Sequence, residues 1–239
     1  MSNFLKLLKG EIMRLIKYKI LQISLIMTVL WIAIIYLIGK ENAPTFIPLF
    51  IFSDSALMSV LLIGAGLFYE KQENTLKTLM ITPSSFMAII ISKVIAAIYL
   101  ALQSTVIIAL FSIIFFDVSV SLFWLIAFTI LISLSHSVIG FTFAVFAKDF
   151  NELIAQVAFY MIIFAIPTLF FALGVFSDQF EFILMFSPTH ASLLMINYAF
   201  NTSVRTVLLI IGSAYLIIMT ILLFKYIIVP KYPETAVKD

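Results

Sequence analysis

The sequence predicts an all-α membrane protein with six transmembrane helices, and composition, chain length and charge distribution each support this prediction. Of its 239 residues, 64% are apolar and 11% are charged, and the mean hydropathy is +1.21. Soluble domains contain about 45–50% apolar and about 25% charged residues, so a soluble globular enzyme and a disordered chain are both excluded. The length accommodates about six spans of roughly 20 residues each, with short connections.

The segment 1–19 precedes the first span and has a helical period. At about 100° per residue, its apolar side chains fall within an arc of about 120°; they are Phe4, Leu5, Leu8, Ile12, Leu15 and Ile16. The residues on the opposite side are Lys6, Gly10, Arg14 and Lys17. This pattern predicts an N-terminal amphipathic interfacial helix whose lysines face anionic lipid. A basic flank that only sets the topology is the alternative.

Apolar runs of crossing length follow, separated by short polar connections. They are Ile20–Ile38, Phe46–Tyr69, Ala88–Phe116, Val120–Ala147, Leu153–Phe176 and Thr206–Val229. A helix over the first run is about 28 Å long, which is enough to cross the hydrocarbon core. A basic segment before an apolar run is also typical of a signal peptide. Because this basic segment is long and no small-residue cleavage pattern follows Ile38, we interpret the run as a retained span.

The region 177–205 differs from the runs on either side of it. It is interrupted by Asp178, Glu181, Pro188, His190, Asn197 and Asn201, so neither apolar piece reaches crossing length. We predict two short re-entrant helices, Phe180–Phe186 and Thr189–Phe200, which enter the outer half of the membrane without crossing it. Such backbone is tolerated only where protein or water covers its polar groups.

The distribution of lysine and arginine predicts the orientation. With six spans and a cytoplasmic N-terminus, twelve of these residues lie on the cytoplasmic side and only Lys40 and Arg205 lie outside. Both termini are therefore expected in the cytoplasm, and residues 1–239 form a single transmembrane domain. Lysine outnumbers arginine by twelve to two, which points to a bacterial source and hence to the bacterial cytoplasmic membrane.

The connection between the second and third spans has the sequence YEKQENTLKTLMITP, residues 69–83. Leu76 and Leu79 share one helical face, Glu73 and Lys77 form a favourable i,i+4 pair, and Pro83 ends the helix. This pattern predicts a short cytoplasmic helix within the loop 70–84 that could pass force from a soluble partner into the membrane. An ordinary polar loop is the alternative.

This loop resembles the corresponding loop of type-2 ABC exporter permeases, in which an acidic-basic pair, a small or polar residue, Thr-Leu, apolar residues and Thr-Pro precede the next span. The resemblance covers nearly the whole chain: an amphipathic N-terminal helix, six spans and two re-entrant helices before the last one. Residues 150–167, FNELIAQVAFYMIIFAIP, also resemble the fifth span of that family. The departures are Asn74, where the family often has glycine, and Lys71, where arginine is common.

The resemblance implies a fold, a function and a set of partners. In the family, the cytoplasmic coupling helix docks on a separate ATP-binding subunit. The coupling residues implied here are Glu70, Lys71, Glu73, Thr75, Leu76, Leu79 and Pro83. The chain would be the permease subunit of an exporter that moves an apolar or amphipathic substrate, such as a drug, a peptide or a lipid-like molecule. It would pair with a second permease subunit, identical or different, in the bilayer.

The chain is not expected to be an enzyme. It contains no G-x-x-x-x-G-K-[ST] phosphate loop, so ATP and Mg²⁺ are expected in the partner subunit. No cofactor or metal is expected in this chain, which has no cysteine and two histidines. The net charge of +2 gives no indication of a nucleic-acid partner.

Polar residues within the predicted spans are candidates for a translocation path or for helix packing: Asp54, Gln103, His136, Gln156 and Tyr160. Asp54 is expected in the outer third of the second span, where it could line a gate, pair with Lys40 or Arg205, or be hydrated at the interface. His136 belongs to a stripe of small and polar residues, which is typical of close helix packing.

Two other functions are considered. An ion-coupled secondary transporter working without an ATPase would use Asp54 or His136, although such carriers usually have paired intramembrane charges or broken helices. An intramembrane enzyme would need an H-E-x-x-H helix or a second aspartate beside Asp54. The sequence has no such helix, and Asp117 and Asp178 stand at span ends.

Overall fold

The computed structural model describes residues 3–73, 75, 85–201 and 204–232, and within these ranges the chain is helical without any strand. Its principal helices are α1 (Asn3–Lys17), α2 (Ile20–Ile38), α3 (Ala43–Gln72), α4 (Phe86–Phe116), α5 (Leu122–Phe146), α6 (Phe150–Ala172), α7 (Glu181–Leu184), α8 (Pro188–Ala199) and α9 (Thr206–Tyr232). Six of them, α2 to α6 and α9, are long and apolar enough to cross a membrane, which confirms the predicted number of spans.

Local sequence signals explain where two of the spans differ from their predicted bounds. α3 begins at Ala43 rather than Phe46, because Pro44 is well suited to a first helical turn. α6 begins at Phe150 rather than Leu153, because the Asp149 side chain caps it by accepting a hydrogen bond from the Glu152 backbone nitrogen at 2.8 Å. It ends at Ala172, just before Gly174 takes a left-handed conformation with φ of 73°.

Helices α3 and α5 form the centre of the bundle. In their most hydrophobic stretches 61% and 56% of residues are buried, compared with 22% in α2 and α9. The two central helices cross closely at Gly140, where an added Cβ atom would lie 2.5 Å from the Val60 carbonyl oxygen. Next to this crossing the Ser59 and Ser133 hydroxyls lie 3.1 Å apart. The small residues of the α5 stripe therefore allow the two backbones to approach each other.

Three of the spans contain a π-helical segment that the sequence analysis did not predict: Ser53–Met58 in α3, Met161–Ala165 in α6 and Phe224–Ile228 in α9. A π-helical turn inserts an extra residue into the helical ladder and rotates the side chains that follow it. Such turns occur frequently at functional sites. The segment in α3 contains Asp54, one of the candidate residues.

Helix α1 packs mainly against α4 and α2. Leu5, Ile12 and Ile16 are 37% to 49% exposed, whereas Glu11 is 6% exposed and faces the bundle. Arg14 was predicted on the polar face directed towards lipid headgroups, but its guanidinium turns inwards to the bundle instead. The reason is electrostatic, because acidic side chains on α1 and α3 contact it there.

The region between α6 and α9 contains two short helices, as predicted, but with different bounds. α7 comprises only Glu181–Leu184, and α8 begins at Pro188 because the Ser187 side chain caps it and proline suits the first position. α8 is almost completely buried against α5 and α9. At its contact with α9, an added Cβ atom on Gly212 would lie 3.2 Å from the Ala191 Cβ atom.

Candidate functional site

Four charged side chains meet at the end of the bundle where α1 lies, which we call the α1 end. Lys93 of α4 lies between two glutamates: its Nζ contacts both Glu11 carboxylate oxygens at 3.0 and 3.1 Å, and it also contacts both oxygens of Glu70. Arg14 Nη1 contacts Glu70 Oε1 at 3.1 Å and contacts Glu11 as well. We call Glu11, Arg14, Glu70 and Lys93 the buried charge cluster.

The cluster is buried and balanced in charge. Glu11, Glu70 and Lys93 are 6%, 3% and 4% exposed. Burial raises the pKa of Glu11, although Lys93 opposes this shift. Burial tends to lower the pKa of Arg14, but the Glu11 and Glu70 carboxylates outweigh it, so its pKa is raised and it stays charged. Such a cluster is tolerated only while each charge has its partner, and removing one partner costs about 3–5 kcal/mol.

Glu73 forms a second link between α1 and the end of α3. Its Oε2 accepts a hydrogen bond from the Tyr18 hydroxyl at 2.8 Å and an ionic contact from Lys17 Nζ at 3.0 Å. The hydrogen bonds from Tyr18 and Lys17 lower the pKa of Glu73. Burial and the same Glu73 contact raise the pKa of the Tyr18 hydroxyl. The link is solvent-exposed, so its strength depends on salt.

Lys71 and Thr75 also lie where α3 passes into the loop. We call Glu70, Lys71, Glu73 and Thr75 the loop root. Lys71 Nζ donates a hydrogen bond to the Ala147 carbonyl oxygen at 3.2 Å, at the end of α5. The Thr75 hydroxyl donates to the Glu70 carbonyl oxygen at 3.1 Å. Of the predicted coupling residues, Leu76, Leu79 and Pro83 lie outside the described residues. Glu70, Lys71 and Glu73 therefore connect the loop to α1, α4 and α5, whereas Thr75 bonds only within its own segment.

Asp54 lies further along its helix than the sequence suggested. Because α3 starts at Ala43, Asp54 is about 16 Å from the first residue of that helix. It is 3% exposed, and its Oδ1 has no hydrogen-bond partner among the described residues. Lys40, one of its expected partners, contacts Asp117 Oδ2 at 3.0 Å instead.

His136 is completely buried in α5. Its Nδ1 lies 3.0 Å from the Ile132 carbonyl oxygen and must therefore carry the proton, whereas Nε2 has no hydrogen-bond partner within the described ranges. The ring meets Tyr160 edge-on, with the centroids 6.2 Å apart. The imidazole thus packs between α5 and α6.

Gln156 and Tyr160 line an open groove of about 500 Å³ between α5 and α6. The other lining residues are Thr142, Phe143, Phe146, Phe159, Ile163 and Phe164. The Tyr160 hydroxyl is buried and has no hydrogen-bond partner in the described parts of the chain. Gln103 is not in this groove but on α4, where its side-chain nitrogen is also buried without a partner.

The list of coupling residues drawn from the sequence contained only one of the four cluster residues. Glu11 and Lys93 had a recognisable signal, since Glu11 is the only acidic residue in the segment 1–19 and Lys93 the only charged residue in the run Ala88–Phe116. Arg14 had no such signal, because lysines surround it. Within the described parts of the chain, no group of three or more His, Asp and Glu side chains could hold a metal ion.

Comparison with protein-family models, curated proteins and solved structures gives no match for this chain.

Proposed function

We propose that the chain is the permease subunit of an ATP-driven exporter of the type-2 ABC class, with its α1 end in the cytoplasm. The observation that carries the proposal is the attachment of the loop root to three other helices. Glu70 and Glu73 link it to α1, Glu70 also links it to Lys93 on α4, and Lys71 links it to the end of α5.

These contacts supply a route by which a partner could move the spans. A force on residues 76–84 reaches α3 directly, because the loop continues from its last turn. Through the buried charge cluster the same force reaches α1 and α4 together. Each charge of the cluster has a partner of opposite sign, which suits a mechanical link between the helices.

The proposed orientation is consistent with the surfaces of α1. The exposed residues Leu5, Ile12 and Ile16 would lie in the acyl region of the inner leaflet. Lys6, Lys9 and Lys17 are exposed along the adjoining face and would lie at the headgroups. In this orientation α7 and α8 enter the outer half of the membrane as re-entrant helices.

The groove between α5 and α6 is the candidate contact surface for the cargo. It is apolar apart from Gln156, Tyr160 and Thr142, so an apolar or amphipathic substrate would fit its chemistry better than a sugar or an ion. The ATP-binding subunit and a second permease subunit remain the proposed partners.

The test is to replace Leu76 and Leu79 together with aspartate and to measure ATP hydrolysis and transport by the reconstituted complex. We expect the variant to insert normally but to lose stimulation of the ATPase and transport. A matched variant carries isoleucine at Leu76 and Leu79, which keeps the loop apolar at both positions and should retain coupling. Normal coupling in the L76D/L79D variant would contradict the assignment of the loop.

The ion-coupled alternative gives a different result in the same vesicles. Transport that continues without ATP and stops when the proton gradient is dissipated would favour a secondary transporter. Transport that requires ATP with the gradient dissipated would favour the exporter.

A further inference from the structure

Asp54 is a buried acid with no charged partner in the part of the chain that the structure describes. It is 3% exposed, it belongs to the π-helical segment Ser53–Met58, and Oδ1 has no hydrogen-bond partner. The polar groups that face its carboxyl group are Ser104 of α4 and Trp31 of α2, neither of which carries a charge. An ionised carboxylate in such surroundings loses its hydration without compensation.

The carboxyl group lines a small cavity. The cavity has a volume of about 20 Å³, which is enough for one water molecule, and Ser24 and Ser59 add hydroxyl oxygens to its wall. The Ser59 hydroxyl also lies 3.1 Å from that of Ser133 on α5. A water molecule here would have the polar partners that a buried water requires.

A second cavity of about 30 Å³ lies next to the first on the side of the α1 end. The two cavities share three wall residues, Leu15, Leu62 and Ile63. The second cavity is also lined by Glu11, Glu70, Lys93, Arg14 and Tyr18, so it ends at the buried charge cluster. Two water-sized spaces therefore lie in series between that cluster and Asp54.

Other titratable side chains lie on the helices around Asp54. On the helices packed against its segment they are Tyr36, Tyr69, Glu70, Lys71, Lys93, Tyr99 and His136. None of these lines the Asp54 cavity, whose wall among the described residues has Asp54 as its only ionisable group.

We propose that Asp54 is a proton-binding site that is loaded from the α1 end through the two cavities. A hydronium ion at the buried charge cluster passes its proton along water to the Asp54 carboxylate. The carboxylate becomes a neutral acid, and a neutral water molecule remains. Protonation therefore removes the negative charge of Asp54 from the interior of the bundle. This inference does not rest on the proposed function, because it concerns proton binding and not the energy source for transport.

Trp31 is a natural reporter of this charge, because it faces the carboxyl group. The second tryptophan, Trp124, is replaced by phenylalanine so that Trp31 alone emits in the W124F protein, reconstituted in lipid vesicles. We expect its emission to change as the pH is varied from about 4 to about 9. The D54N substitution should abolish the change, because asparagine resembles the neutral acid at every pH.

Matched controls separate this site from others. The D117N substitution removes an exposed acid and should leave the Trp31 titration unchanged. Replacing sodium chloride with choline chloride at fixed pH should have no effect, and a sodium-dependent signal would overturn the assignment to protons. A pH titration that persists in D54N would also overturn it.

If D54N does not fold, infrared difference spectra of the wild-type protein can instead detect the protonation of a buried carboxyl group. A band from a protonated carboxyl group should appear on acidification, and D54E should shift that band. No shift would assign the band to another acid and overturn the proposal.

The route is tested by the I63F substitution, which enlarges a side chain in the wall that the two cavities share. It should slow the Trp31 response to a pH jump several-fold without moving the midpoint of the titration. An unchanged rate would overturn the route.

Discussion

Glu70 and Lys93 lie on different helices, are 3% and 4% exposed, and are joined by contacts from one ammonium group to both oxygens of one carboxylate. This pair fixes the end of α3 to α4 at the point where the loop to the proposed ATPase begins. The same carboxylate contacts Arg14 of α1 at 3.1 Å. A displacement of the loop root therefore disturbs the ion pairs that balance the charges inside the bundle.

The first prediction concerns this balance. The K93M substitution removes one cation and leaves two buried carboxylates facing Arg14 alone, so we expect the free energy of unfolding to fall by about 3–5 kcal/mol. The double variant K93M/E70Q removes one charge of each sign and should be more stable than K93M. Thermal unfolding in detergent measures both. The exposed Lys9 supplies the control K9M, and additive losses in the double variant would contradict the predicted coupling.

The second prediction concerns the pH dependence of Glu73. Its pKa is lowered from 4.5, so its link to α1 is stabilising above that pH and is lost as the pH falls through the lower folded value. The Y18F substitution removes the largest cause of the shift, so we expect the pKa of Glu73 to rise towards 4.5. NMR titration of labelled glutamate side chains measures this. The Y226F variant is the control, and an equal rise in both variants would contradict the assignment.

The third prediction concerns the crossing of α3 and α5. The G140A substitution places a Cβ atom 2.5 Å from the Val60 carbonyl oxygen, so the helices must separate. We expect a loss of about 1–3 kcal/mol in the free energy of unfolding, measured by thermal unfolding. Gly10 on α1 has no atom within 4 Å of an added Cβ, so G10A should not destabilise. Equal stability of the two variants would be inconsistent with the close crossing.

The fourth prediction concerns the groove between α5 and α6. The Tyr160 hydroxyl is buried without a partner, so Y160F should not lower stability. The hydroxyl is also shielded from the groove, so we expect the KM for transport to stay unchanged. Y36F, on an exposed tyrosine of α2, is the control. A clear loss of stability in Y160F that is absent in Y36F would contradict the prediction.

The sequence predicted the number of spans because their signal, about 20 consecutive apolar residues, is local. The bounds of α2 agree with the prediction, since charged and glycine residues flank Ile20–Ile38 directly. The sequence did not predict the buried charge cluster, because Glu11 and Lys93 are separated by 82 residues and meet only through packing. The π-helical segment around Asp54 had no composition signal either, and it packs against α4 and α5.

The most direct test of the proposed exporter function is to purify the tagged chain from its native membranes in mild detergent and identify its partners by mass spectrometry. We expect a stoichiometric subunit with the phosphate loop that this chain lacks, together with a second permease copy or a related chain. The E70Q/K93M variant should retain less of that subunit than K9M does. A chain that purifies alone as a stable oligomer and transports without ATP would contradict the proposal.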